Sequence, residues 1–128
     1  MPACSFVGAY AFANCTSLES VSLPVCTSIG SYIFSKCNSL TSIDLPACTS
    51  VDSSAFANCS SLESVSLPSY DDRVSYISED LSSIKFLNIG LTSLRTNDYL
   101  SNLSNMEHLV MPKFTGRCSS LFSNFSKL

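Results

Sequence analysis

The chain has 128 residues, enough for one compact domain or one stretch of a repeat array. With 45% apolar residues, only 13% charged ones and 28 serines, it has material for a core and lacks the signature of disorder. A net charge of −3 argues against a nucleic-acid-binding face, and one histidine and four glycines leave little for histidine catalysis or a Gly-rich phosphate loop.

Residues 1–18 lack the basic start and unbroken apolar stretch of a signal peptide, and their pattern returns downstream. They therefore read as structure and not as a targeting segment. No run reaches the ~20 apolar residues needed to span a membrane, so no membrane insertion is expected.

A repeat organises everything that follows. Pro2, Pro24, Pro46 and Pro68 are spaced by 22, and Gly90 and Pro112 continue the period. In this register the third position is Cys4, Cys26, Cys48, Tyr70, Thr92, Phe114. The eleventh is Phe12, Phe34, Phe56, Ser78, Leu100, Phe122, and the fourteenth is Cys15, Cys37, Cys59, Leu81, Leu103, Phe125. Residues 1–128 thus read as one solenoid domain of about six units. Units 2–23, 24–45 and 46–67 are regular; 68–89, 90–111 and 112–128 are diverged but keep the apolar register.

Each unit ends in an apolar-x-apolar phrase, such as Val65-Ser66-Leu67, that alternates as a strand does. The following Pro ends it, because Pro cannot donate to a central ladder. Strands are predicted at 18–23, 40–45, 62–67, 84–89 and 106–111, running parallel and stacked ~4.8 Å apart. A single unit cannot bury its apolar face, so neighbours must do so by stacking. The eleventh position then forms an inner column dominated by Phe. Six cysteines lie eleven apart, from Cys4 to Cys59, so each unit makes two turns. An eleven-residue coiled coil is disfavoured by a Pro every 22 residues and by many Ser and Val.

The thirteenth position reads Asn14, Lys36, Asn58, Asp80, Asn102, Asn124. Asn and Asp tolerate a left-handed backbone, so this column is read as a corner. Asn14, Asn58, Asn102 and Asn124 also stand in Asn-x-Ser/Thr context, where a secreted eukaryotic chain could carry glycans.

The phrases Leu45-Pro46-Ala47-Cys48-Thr49-Ser50-Val51 and Ala55-Phe56-Ala57-Asn58-Cys59-Ser60-Ser61-Leu62 resemble the BspA-like leucine-rich repeat family. Units of that family pair a Leu-x-x-Ile/Val-x-Leu-Pro strand with an Ala-Phe-x-x-Cys turn. The likeness is close over residues 2–68; over 69–128 only the apolar register carries it. It implies a right-handed, mostly β leucine-rich-repeat solenoid, with about five parallel strands on one face and short strands or helical or 3₁₀ turns on the other. It also implies a cell-surface or secreted protein with a role in adhesion and in binding a host or partner. The chain starts and stops inside a unit, without the polar capping units that solenoids carry. A fragment of a longer protein, or end-to-end self-association through uncapped ends, is the expectation.

For chemistry, the cysteines lack the close Cys-x-x-Cys pairs of a zinc site. Sitting among apolar positions, they read as buried reduced thiols. A vertical disulfide such as Cys4–Cys26 is allowed by distance but poorly by side-chain direction. Cys118 is off register, and a Cys118–His108 catalytic pair would lack an orienting third group. Neither metal nor cofactor is expected, and no catalytic residue is assigned.

Two surfaces are candidates for binding. At the sixth position Val7, Ile29 and Val51 give way to Arg73, Arg95 and Arg117. Three stacked guanidinium groups would repel unless anions lay between them, which suggests an acidic ligand or sulfated glycan. The alternative is a local slip that lets these Arg pair with nearby carboxylates. On the outward strand face the first three rows are small and polar, whereas the last two are Lys85-Phe86-Asn88 and Glu107-His108-Val110. Glu63, Lys85, Phe86, Glu107, His108 and Val110 form the predicted partner site, for a protein or glycan on a host or neighbouring cell. Two functions follow: a non-enzymatic binding module, or a structural spacer that displays other domains.

Overall fold

The structure, a computed structural model, describes residues 4–70, 82–92 and 103–115. It is a parallel β-solenoid of about four turns, and no helix occurs among the described residues. The strands are β1 (Phe6–Val7), β2 (Ser20–Ser22), β3 (Ser28–Ile29), β4 (Ser42–Asp44), β5 (Ser50–Val51), β6 (Ser64–Leu67), β7 (Phe86–Ile89) and β8 (His108–Val110). Five of them form one sheet in the order β2-β4-β6-β7-β8, and β1-β3-β5 form a second. All pairs are parallel and join residues 22 apart, as in Val21↔Ile43↔Val65↔Leu87↔Leu109. The five strands lie within the predicted segments, shortened by two residues at the start. On the second face the structure takes two-residue strands and hydrogen-bonded turns in place of helical turns.

The turns explain the eleven-residue half-period. In Leu23-Pro24-Val25-Cys26 the Cys26 N–H donates to the Leu23 carbonyl at 3.2 Å, and Cys48 repeats this to Leu45 at 3.1 Å. Pro at the second turn position has the φ such a turn requires. In Phe12-Ala13-Asn14-Cys15 the Cys15 N–H donates to the Phe12 carbonyl at 3.2 Å, with Cys37 to Phe34 and Cys59 to Phe56 alike at 3.1 Å. Here the third residue needs positive φ, and Asn14, Lys36 and Asn58 have φ of 62°, 61° and 60°. This is the predicted corner, and Lys36 adopts it without the usual Asn. Asp80, Asn102 and Asn124 lie outside the described residues.

The core consists of columns. Leu40, Leu62, Ile84 and Met106 are buried, as are Cys26, Cys48 and Tyr70. Phe12, Phe34 and Phe56 stack with centroids 5.7 and 6.1 Å apart and planes within 8°. Ser78, Leu100 and Phe122, placed in the same column by register, lie outside the described residues. Val7, Phe12, Leu18, Val21 and Leu23 belong to the first described coil and are only partly buried. Gly90 stands where other units have Pro because the chain passes close: a Cβ there would lie 2.4 Å from the Pro68 carbonyl oxygen.

The six described cysteines are free thiols. Cys37 and Cys59 donate across the coil to the carbonyls of Phe12 and Phe34, both at 3.1 Å. Cys26 and Cys48 donate to the carbonyls two residues ahead, Ser28 and Ser50, both at 3.2 Å. The thiol therefore fills space as a small hydrophobe while its weak donor meets a turn carbonyl. Cys4 and Cys15 depart from the expected burial: both are exposed. Cys118 lies outside the described residues. Burial pushes the Cys48 thiol up to about 11 and raises Cys37 as well. The raised Cys48 value stabilises the fold fully below about pH 9, and that contribution is lost as pH rises from about 9 to about 11.

Two outcomes are expected. Phe34→Ala should cost about 3–5 kcal/mol in denaturant unfolding, and Phe12→Ala distinctly less, because Phe34 stacks between two rings and is fully buried whereas Phe12 is partly buried. Equal losses would contradict the column. With iodoacetamide at pH 8, peptide mapping of the six described cysteines should find Cys4 and Cys15 modified first, and Cys26, Cys37, Cys48 and Cys59 only after unfolding.

Candidate functional site

Strands pleat, so alternate residues of the five-stranded sheet face outward. Register then lines up Ser20, Ser42, Ser64, Phe86 and His108 in one row across the strands. Ser22, Asp44, Ser66, Asn88 and Val110 form a second row. A third column precedes the strands: Glu19, Thr41, Glu63, Lys85 and Glu107. From Thr41 onward each N–H in it donates to the carbonyl of the preceding member, for example Lys85 to Glu63 and Glu107 to Lys85, both at 2.8 Å.

The six predicted site residues, Glu63, Lys85, Phe86, Glu107, His108 and Val110, are brought together on this face, and all are exposed. Phe86 is 36% and Val110 44% exposed, whereas β2, β4 and β6 present Ser and Asp at the same positions. Beneath them Leu87 is buried and Leu109 packs on the core, so the face rests on packed side chains. Lys85 Nζ donates to Glu63 Oε1 at 2.8 Å. That hydrogen bond, then the charges of Glu63 and Glu107, raise the Lys85 pKa above its ordinary value. Both side chains are about half exposed, so the pair orders the surface more than it stabilises the fold.

Asn88 belongs to this site although its sequence row gave no reason to single it out. Its side-chain Oδ1 is buried and has no hydrogen-bond partner from the protein. Buried acceptors are normally satisfied, so this one is an exception within the ladder. The available signal was Asn in a strand interior, where that residue is depleted.

The second predicted surface, Arg73, Arg95 and Arg117, lies outside the described residues. Among the described residues no group of His, Cys, Asp and Glu is arranged to hold a metal ion. No helix among them is long and apolar enough to cross a membrane.

Short parallel strands stacked every 22 residues over a Leu- and Cys-lined interior define a leucine-rich-repeat solenoid. A sequence profile of the BspA type leucine rich repeat region matches six copies across residues 3–107, and the chain belongs to that family. No curated protein and no solved structure matches the chain. Solenoids of this family serve as interaction or repeat modules, are typically non-enzymatic, and are commonly extracellular or surface-associated.

The pair's contribution is present below the ordinary Lys range and is lost as pH rises through the raised Lys85 value. Replacing Glu63 by Gln should lower the Lys85 titration midpoint followed by NMR at the lysine side chain, with the circular dichroism spectrum unchanged. A midpoint that stays in place would remove Glu63 as the cause.

Proposed function

We propose that this chain is a non-enzymatic recognition module that docks a protein partner through the outward face of β7 and β8. The observation that carries this reading is the change along one sheet face from Ser rows to Phe86, His108 and Val110. Apolar groups ringed by Lys85, Glu63 and Glu107 are the usual make-up of an interface anchor and its charged rim. The strands hold these groups in fixed register, so little ordering is required on binding. The family's common extracellular setting supports a cell-surface or secreted protein, and adhesion to a host or neighbouring cell is the function in keeping with both.

The spacer reading has its own support in the polar rows of β2, β4 and β6, which present Ser20, Ser22, Ser42, Asp44, Ser64 and Ser66. A pull-down from cell-surface and matrix extract separates the two. The parent is compared with a triple variant, Lys85→Glu, Phe86→Ser and His108→Ser, after circular dichroism shows both folded. A partner retained by the parent and lost by the variant is the expected result. Equal retention would remove this face as the site, and retention by neither would favour the spacer.

A further inference from the structure

A pair of tyrosines on the turn side has no place in the solenoid core. Tyr10 and Tyr32 stand at the ninth position of successive units, where the third regular unit has Ser54. Their rings stack with centroids 5.3 Å apart and planes within 10°. Both are exposed, at 61% and 39%. Each has a left-handed backbone, with φ of 61° and 53°. Gly or Asn takes that conformation readily; a bulky aromatic residue there is an outlier. The backbone is tied down at both ends of each residue. The Tyr10 and Tyr32 N–H groups donate to the Ser31 and Ser54 carbonyls, and their own carbonyls accept from Ala13 and Ser35, all at 3.0 Å. The fold therefore holds two aromatic rings as a fixed surface platform in a conformation unfavourable to them.

The platform borders a cleft of about 590 Å³, within the range of small-ligand sites. Tyr32 lines it together with Phe56, Ser54, Asn58, Ser60 and Ser83. The described lining has hydroxyl and carboxamide groups and aromatic carbon, and no charged side chain. Hydroxyls and amides both donate and accept, as sugar hydroxyls do. An aromatic face beside them suits the C–H face of a pyranose ring. The described lining residues thus suit a neutral sugar.

We infer that the Tyr10–Tyr32 platform and the adjoining cleft bind a neutral hexose unit of a glycan. The sugar stacks on Tyr32, with Tyr10 behind it, and its hydroxyls reach Ser54, Asn58 and Ser60. The site is separate from the face of β7 and β8 and does not depend on the function proposed for it.

The test is titration of ring-labelled protein with neutral trisaccharides built from glucose, galactose and mannose, followed by NMR of the tyrosine rings. At least one should shift the Tyr32 and Tyr10 resonances saturably, with a dissociation constant near the millimolar range. Tyr32→Asn removes the ring while supplying a residue type that accepts the local backbone, so the variant should keep the parent's circular dichroism spectrum. It should weaken binding at least tenfold, whereas Phe86→Ser should leave it unchanged. No ring shift with any of these sugars would overturn the inference, as would unchanged affinity in Tyr32→Asn. Tighter binding of a sulfated analogue would overturn the neutral assignment. Ring shifts produced only by a protein captured on β7 and β8 would assign the platform to protein contact instead.

Discussion

The structure depends on one constraint: each coil hydrogen-bonds to its neighbours in a register of 22 residues. A two- or three-residue strand has no independent stability. It persists here because its N–H and carbonyl groups meet those of the coils on either side. The same bonds continue outside the sheets, where the Phe12 N–H meets the Ile33 carbonyl at 2.9 Å and the Phe34 N–H meets Ala55 at 3.0 Å. Once that register is set, chemically equivalent residues must stack. Columns of Leu, Cys and Phe are therefore a consequence of backbone pairing as much as of hydrophobic burial.

Turn chemistry supports the register without long side chains. Pro presets one turn and a left-handed Asn or Lys the other, and a Cys closes each. Cys suits that position because it is small enough for a narrow interior and carries a weak donor for a nearby carbonyl. This use of the thiol is structural: the buried Cys48 is held protonated well above neutral pH. The diverged units keep apolar groups in the same columns, with Tyr70 in the place of Cys48 and Leu103 in the place of Cys59, both buried. Larger side chains there replace thiols, and β7 and β8 keep their places in the five-stranded ladder.

A solenoid of this kind separates stability from recognition. Inward residues alternate with outward ones, so the outer rows can vary while the core columns stay fixed. The change from Ser64 to Phe86 to His108 occurs over two strand spacings, with Val65, Leu87 and Leu109 continuing the inner row unbroken. The Tyr10–Tyr32 stack uses the same repetition at a turn, where equivalent positions bring two rings into contact.

The sequence alone determined the period, the five-strand sheet, the corner at Asn14 and Asn58, and the grouping of Glu63, Lys85, Phe86, Glu107, His108 and Val110. It could do so because a strict 22-residue period converts linear spacing into spatial adjacency: residues one period apart must be neighbours. What does not repeat was decided by the tertiary structure. Cys4 and Cys15 are exposed while Cys26, Cys37, Cys48 and Cys59 are buried, although every copy of the motif reads alike in this respect. The three short strands on the second face arise from pairing between coils, since two residues are too few to show an alternation. The buried Oδ1 of Asn88 and the left-handed backbone of Tyr10 and Tyr32 depend on backbone path and packing around single residues. Periodicity determines which residues are neighbours; packing decides how each side chain is oriented and what remains unsatisfied.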